Sequence, residues 1–160
     1  MPKNVSLIYR NYNKLIDIKT IKKIKNSCRK RNIKFYLSNN IKLAIKLNLD
    51  GVYLPSFNKS YYFNSFNLKQ NFILMGSAHN CKEIRQKERQ NVEIIFLSPI
   101  YQTKKKKPLG LYRFMNLMKL TEKKVICLGG INRNNLNTLK NLNIFAIGGI
   151  SLFRKNINHE

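Results

Sequence analysis

Short apolar runs alternate along this chain with longer stretches in which apolar residues recur at helical spacing. Val5 to Tyr9 is the first run, and it ends at Arg10. Asp17 heads a segment reaching about Arg31, with Ile18, Ile21, Ile24 and Cys28 at the spacing of one helix face. Phe35 to Leu37 reads as a strand, Ile41 to Asn48 as a short helix, and Val52 to Leu54 as a strand that stops at Pro55. Residues 56 to 71 are aromatic and Asn/Ser-rich with no clean period, which predicts a long loop holding one turn of helix. Phe72 to Met75 predicts a strand opening onto Gly76-Ser77-Ala78-His79-Asn80. Asn80 with Glu83 three residues on is a capping-box pattern for a helix running to about Gln90. Ile94 to Leu97 forms the next strand, followed by Ser98-Pro99, the lysine run Lys104 to Lys107, and a helix over Gly110 to Leu120.

The last third repeats one device. Val125 to Leu128 closes in Gly129-Gly130, an amphipathic segment follows, and Ile144 to Ile147 closes in Gly148-Gly149. Two buried strands joined by such a segment make a βαβ unit, hence parallel pairing. The alternation predicts a single α/β domain over residues 1–160, a TIM-type (β/α)8 barrel with about seven strands where a closed one has eight. In such barrels the loops after the last two strands are the usual phosphate site, and paired glycines there leave backbone N–H groups open to an anion. Glycines that only make turns would give the same pattern. With seven strands, Val5 to Tyr9 and Ile144 to Ile147 become the sheet's two edges. Closure or near-closure is expected, because the core-facing residues of both need covering; an open sheet and association with a second chain are the alternatives.

Composition changes this picture little. The net charge of +24 suggests a polyanion. However, the lysines are scattered through every helical segment alongside many Asn and Ile, as codon bias toward A·T also produces, so nucleic acid is not taken as the partner. Three cysteines, widely spaced and without a C-x-x-C pair, argue for reduced thiols and against a disulfide scaffold or a zinc site. No apolar stretch approaches the ~18 residues of a membrane span, and no secretory h-region is read, so a cytoplasmic protein is expected.

The order of motifs from GSAHN (76–80) through FLSPIYQTKKKKPLG (96–110) and CLGGIN (127–132) to AIGGIS (146–151) resembles the thiamine-phosphate synthase/TenI family. LIYRNY (7–12) and LSNNIKLAIKLNLDGVYLP (37–55) are weaker matches to earlier strands of that family. The Arg motif begins close to residue 1, so the resemblance implies a barrel N-terminally truncated by one strand and helix. It also implies thiamine biosynthesis: hydroxymethylpyrimidine pyrophosphate condenses with a thiazole phosphate, releasing pyrophosphate with Mg2+ assistance. Ser77, Thr103 and Lys106 match the family's pyrophosphate-binding Ser, Thr and Lys. Gly129, Gly130, Gly148, Gly149 and Ser151 fall in its thiazole-phosphate loops, and Arg10 matches its pyrimidine-side Arg. Arg10, Ser77 and Lys106 are the implied catalytic set. Hydroxyls and an ammonium at a strand tip suit a leaving pyrophosphate, on which negative charge accumulates.

The resemblance breaks at the metal. Asn39 and Asn58 stand where the family has its Mg2+ carboxylates, and Ser38 and Tyr12 replace a neighbouring Asn and Lys. The seven acidic residues all read as helix, loop or strand-flanking positions, so no metal ligand is assigned. Pro99 takes the place of the catalytic His of the thiazole-tautomerising TenI branch. His79 reads as packing at the start of its helix. Two function classes follow: a synthase of reduced activity, or a non-catalytic or TenI-like binder of a phosphorylated thiazole or another small phosphorylated ligand.

Overall fold

The computed structural model describes residues 5–12, 17–104 and 106–149. Its strands are β1 (Ser6–Tyr9), β2 (Lys34–Ser38), β3 (Gly51–Leu54), β4 (Ile73–Ala78), β5 (Ile94–Leu97), β6 (Lys124–Leu128) and β7 (Ala146–Gly148). They form one parallel sheet in sequential order. Helices α1 (Ile18–Lys30), α2 (Ile41–Lys46), α3 (Cys81–Arg89) and α4 (Gly110–Met118) lie in the connections, and short 3-10 turns occupy Tyr62–Ser65 and Asn137–Leu139. This is the expected α/β architecture of a partial TIM-type barrel. Among the described residues, no helix is long and apolar enough to cross a membrane.

Strand alternation divides the core into two layers. Phe35, Leu37, Val52, Leu54, Leu74, Ile95, Leu97, Val125 and Cys127 pack outward against helix residues such as Ile21, Ala44, Ile84 and Phe114. Tyr36, Tyr53, Met75, Phe96 and Ile126 pack inward, joined by Ile8, Leu128 and Ala146. Continuing that alternation one step toward the C-terminal ends of the strands puts Arg10, Ser38, Ser77, Ser98 and Gly148 on the inward side. Polar residues thus cap an apolar lumen at one rim.

Helix ends follow local chemistry. The Asn80 side chain accepts from the Glu83 amide, as the capping pattern requires, while the Glu83 carboxylate reaches the amide of His79. Asp17 and Asn40 cap α1 and α2 in the same way.

Three expectations need correction. First, closure: β1 and β7 stand at opposite ends of the sheet and no backbone bond joins them among the described residues. β7 has only three residues and begins at Ala146 rather than Ile144. Second, the segment between β6 and β7 forms only a 3-10 turn. Its asparagines satisfy the backbone locally: Asn132 Oδ1 accepts from the amides of Asn134 and Asn135, and Asn135 binds back to the amide of Asn132 and the carbonyl of Gly130. Such bonds compete with helix. Third, β4 does not end at Met75 but runs through Ala78, so Ser77 is a buried strand residue, not a loop residue.

Candidate active-site rim

The exits of β4 and β5 carry most of the candidate chemistry. Ser77 is buried opposite Tyr53, whose phenol is pushed up by burial and partly restrained by their hydrogen bond. Two residues further, His79 Nδ1 lies 2.5 Å from the carbonyl oxygen of Ser98, and its Nε2 lies 2.9 Å from Lys106 Nζ. A carbonyl can only accept, so Nδ1 carries the proton and Nε2 offers its lone pair to the Lys106 ammonium. His79 is therefore neutral in this arrangement and aims Lys106. Thr103 closes the loop beneath it: its Oγ1 accepts from the amide of Lys106 at 3.1 Å and donates to the Lys106 carbonyl at 3.2 Å. The packing role expected for His79 is thus incomplete.

At the β1–β3 side, Arg10 lies over the Tyr12 ring at 5.1 Å, and Tyr12 shares a 2.7 Å hydrogen bond with Ser38 and an edge contact with Phe57. Asn58 Nδ2 donates to Asn39 Oδ1 at 2.7 Å. Asn58 Oδ1 in turn accepts from the amide of Ser60 at 3.0 Å and from Gln90 Nε2 at 3.3 Å. Both amide oxygens are therefore engaged, and neither carries charge. This pair does not fit Mg2+, which takes hard oxygen ligands, usually including a carboxylate.

The two glycine pairs differ. Gly129 and Gly130 have φ of 101° and 69°. A Cβ on Gly129 would stand 2.5 Å from Pro99 Cβ, and one on Gly130 would stand 2.6 Å from the Gln102 carbonyl oxygen. These glycines let the β5–α4 loop lie against the end of β6, a structural task that is compatible with a bare anion-binding edge but separate from it. Gly148 instead faces the lumen, where an added Cβ would meet the Leu128 side chain at 3.3 Å, a tight contact but one with a side chain rather than backbone. Gly149 is half-buried just after β7, and Ser151 lies outside the described residues.

The model of the family described as thiamine monophosphate synthase matches residues 6–153. The chain belongs to that family. The thiamine-phosphate synthase of Lactococcus lactis subsp. lactis is 22% identical over 157 residues, an alignment covering 96% of this chain and 72% of that protein. The thiamine phosphate pyrophosphorylase of Pyrococcus furiosus superposes with a TM-score of 0.70 at 16% identity, covering 89% of this chain and 69% of that one. A thiamine phosphate pyrophosphorylase of Bacteroides thetaiotaomicron gives 0.60 at 19%, covering 97% and 76%. At these identities the two structures support the fold alone. Within this thiamine monophosphate synthase family member, one signal could have drawn His79 into the site from sequence: it follows Ser77 by two residues, and strand alternation puts both on the inward side.

Proposed function

We propose that this chain binds phosphorylated thiazole and pyrimidine substrates at the C-terminal rim and performs the family's condensation slowly and with little response to Mg2+. In that reaction the thiazole nitrogen forms a bond to the pyrimidine's methylene carbon as the carbon–oxygen bond to pyrophosphate breaks. The bonding pair leaves on pyrophosphate. The observation that carries the reading is Lys106, a cation aimed by neutral His79 at the exits of β4 and β5, with Thr103 in the same loop and Ser77 close by in the lumen. Lys106, Ser77 and Thr103 would receive the leaving pyrophosphate, Arg10 would hold the pyrimidine side, and the loops at 129–130 and 148–151 would take the thiazole phosphate. Fixed donors of this kind act on charge as it develops in the transition state.

The open sheet supports a second reading, a binder without turnover. Arg10 follows β1 and Gly148-Gly149 closes β7, and among the described residues no strand pairing holds these two edges in register. Calorimetric titration with pyrophosphate tests the shared anion site. Lys106→Met should weaken binding at least about tenfold, the scale of one charge-assisted contact. An unchanged dissociation constant would place the anion elsewhere.

A further inference from the structure

Lys87 is fully buried in α3, and it is the one charged side chain in the interior of the described residues. Its stem lies across Gly76 of β4, where an added Cβ would come within 2.6 Å of Lys87 Cδ. Its Nζ donates to the carbonyl oxygens of Pro55 and Asn58, both at 2.9 Å, and to Gln90 Oε1 at 2.8 Å. Three acceptors call for three N–H donors, which is the ammonium form. All three are neutral oxygens. Glu83 on the same helix is the charged group acting on Lys87, and its carboxylate is already committed to the amide of His79. Gln90 completes the clamp, its Nε2 donating to the carbonyls of Asn58 at 3.1 Å and Ser60 at 2.9 Å.

A buried ammonium is costly unless its hydrogen bonds are made. Here two of its acceptors come from one segment, the loop leaving β3, which turns so that its carbonyls surround the cation much as they would a bound metal ion. The same loop delivers Asn58 to Asn39, the pair found above not to suit Mg2+. We propose that the Lys87 ammonium is the cation that organises the rim loop Pro55–Ser60, holding Asn58 on Asn39 without a divalent metal. Lys87 is a positioning residue and is too deeply buried to touch substrate.

Amide hydrogen exchange tests this without any ligand, so failure of the anion-site reading would leave the result intact. The reporters are the amides of Asn58, bonded to the Pro55 carbonyl, and Ser60, bonded to Asn58 Oδ1. In Lys87→Met both should exchange at least about tenfold faster, while the Ile84 amide in α3 keeps its protection relative to the rest of the chain. That local ratio separates positioning from general destabilisation. Gln90→Met removes one acceptor of the ammonium together with Gln90's own donors to Asn58 and Ser60, so it should also accelerate the same two amides; it serves if Lys87→Met does not fold. In the wild type, added Mg2+ or a chelator should leave both rates unchanged. Wild-type rates in either folded variant, or a several-fold slowing of the wild type by Mg2+, would overturn the proposal.

Discussion

Gly110 and Gly130 provide a matched pair for separating backbone strain from steric approach. Their φ angles are nearly equal, 73° and 69°, but a Cβ at Gly110 meets nothing within 4 Å. At Gly130 it meets the Gln102 carbonyl oxygen at 2.6 Å, Tyr101 Cβ at 2.7 Å and the Tyr101 carbonyl carbon at 2.8 Å. Alanine in the left-handed region costs roughly 1–2 kcal/mol, less about 0.4–1 kcal/mol recovered from the unfolded chain. Gly110→Ala should therefore destabilise by about 1 kcal/mol. Gly130→Ala adds overpacking against backbone that cannot swing away, roughly 1–3 kcal/mol more. The expected gap between the variants is about 2 kcal/mol, or a further fall of about 4–8 °C in Tm for a chain of this size. Urea unfolding of both variants measures it, provided the m-values agree. Equal costs within about 0.5 kcal/mol would refute the claim that the β5–α4 loop rests on Gly130.

Two further outcomes follow from buried titratable groups. Burial lowers Lys87 to about 8. Between that value and the ordinary lysine range the unfolded chain holds the proton that the folded chain has lost, so stability rises with pH across this window, by up to about 3 kcal/mol. The neutral amine still donates two bonds to the loop. Urea midpoints of wild type and Lys87→Met should thus diverge between pH 7 and pH 10 in favour of the wild type, and a constant difference would contradict the assignment. Among the cysteines, Cys127 is pushed up to about 12 by burial and Cys28 is raised by burial and then by Asp50, whereas Cys81 is exposed. A thiol reagent should label Cys81 rapidly and the other two only on unfolding; fast labelling of more than one thiol would show that the core opens readily.

Most elements were legible because their signals are local. Apolar runs gave β1 to β6 within a residue or two, apart from the C-terminal extension of β4, and Asn80 with Glu83 marked the start of α3. The segment after Gly130 misled because its leucines follow a helical period while its asparagines capture backbone amides first, and periodicity does not weigh that competition. Closure is a long-range property. It depends on the number, tilt and stagger of all the strands together, which no local pattern encodes. At the rim, the family motif pointed to Lys106, whereas its contact with His79 spans 27 residues of chain and is not encoded by any motif. Lys87 was the least legible. In sequence it is one of many helical lysines, and only the glycine at 76 together with the course of the β3 loop turns it inward.

A rim that keeps an anion-binding half and holds its loops without a metal should show itself in turnover. The most direct measurement is the formation of thiamine phosphate from hydroxymethylpyrimidine pyrophosphate and thiazole phosphate, with added Mg2+ and with chelator. Turnover should be slow, lost in Lys106→Met and changed by less than about threefold between the two conditions, a difference below 1 kcal/mol in the barrier. Fast turnover that collapses on chelation would contradict it, because a metal would then bind where Asn39 and Asn58 are tied to each other.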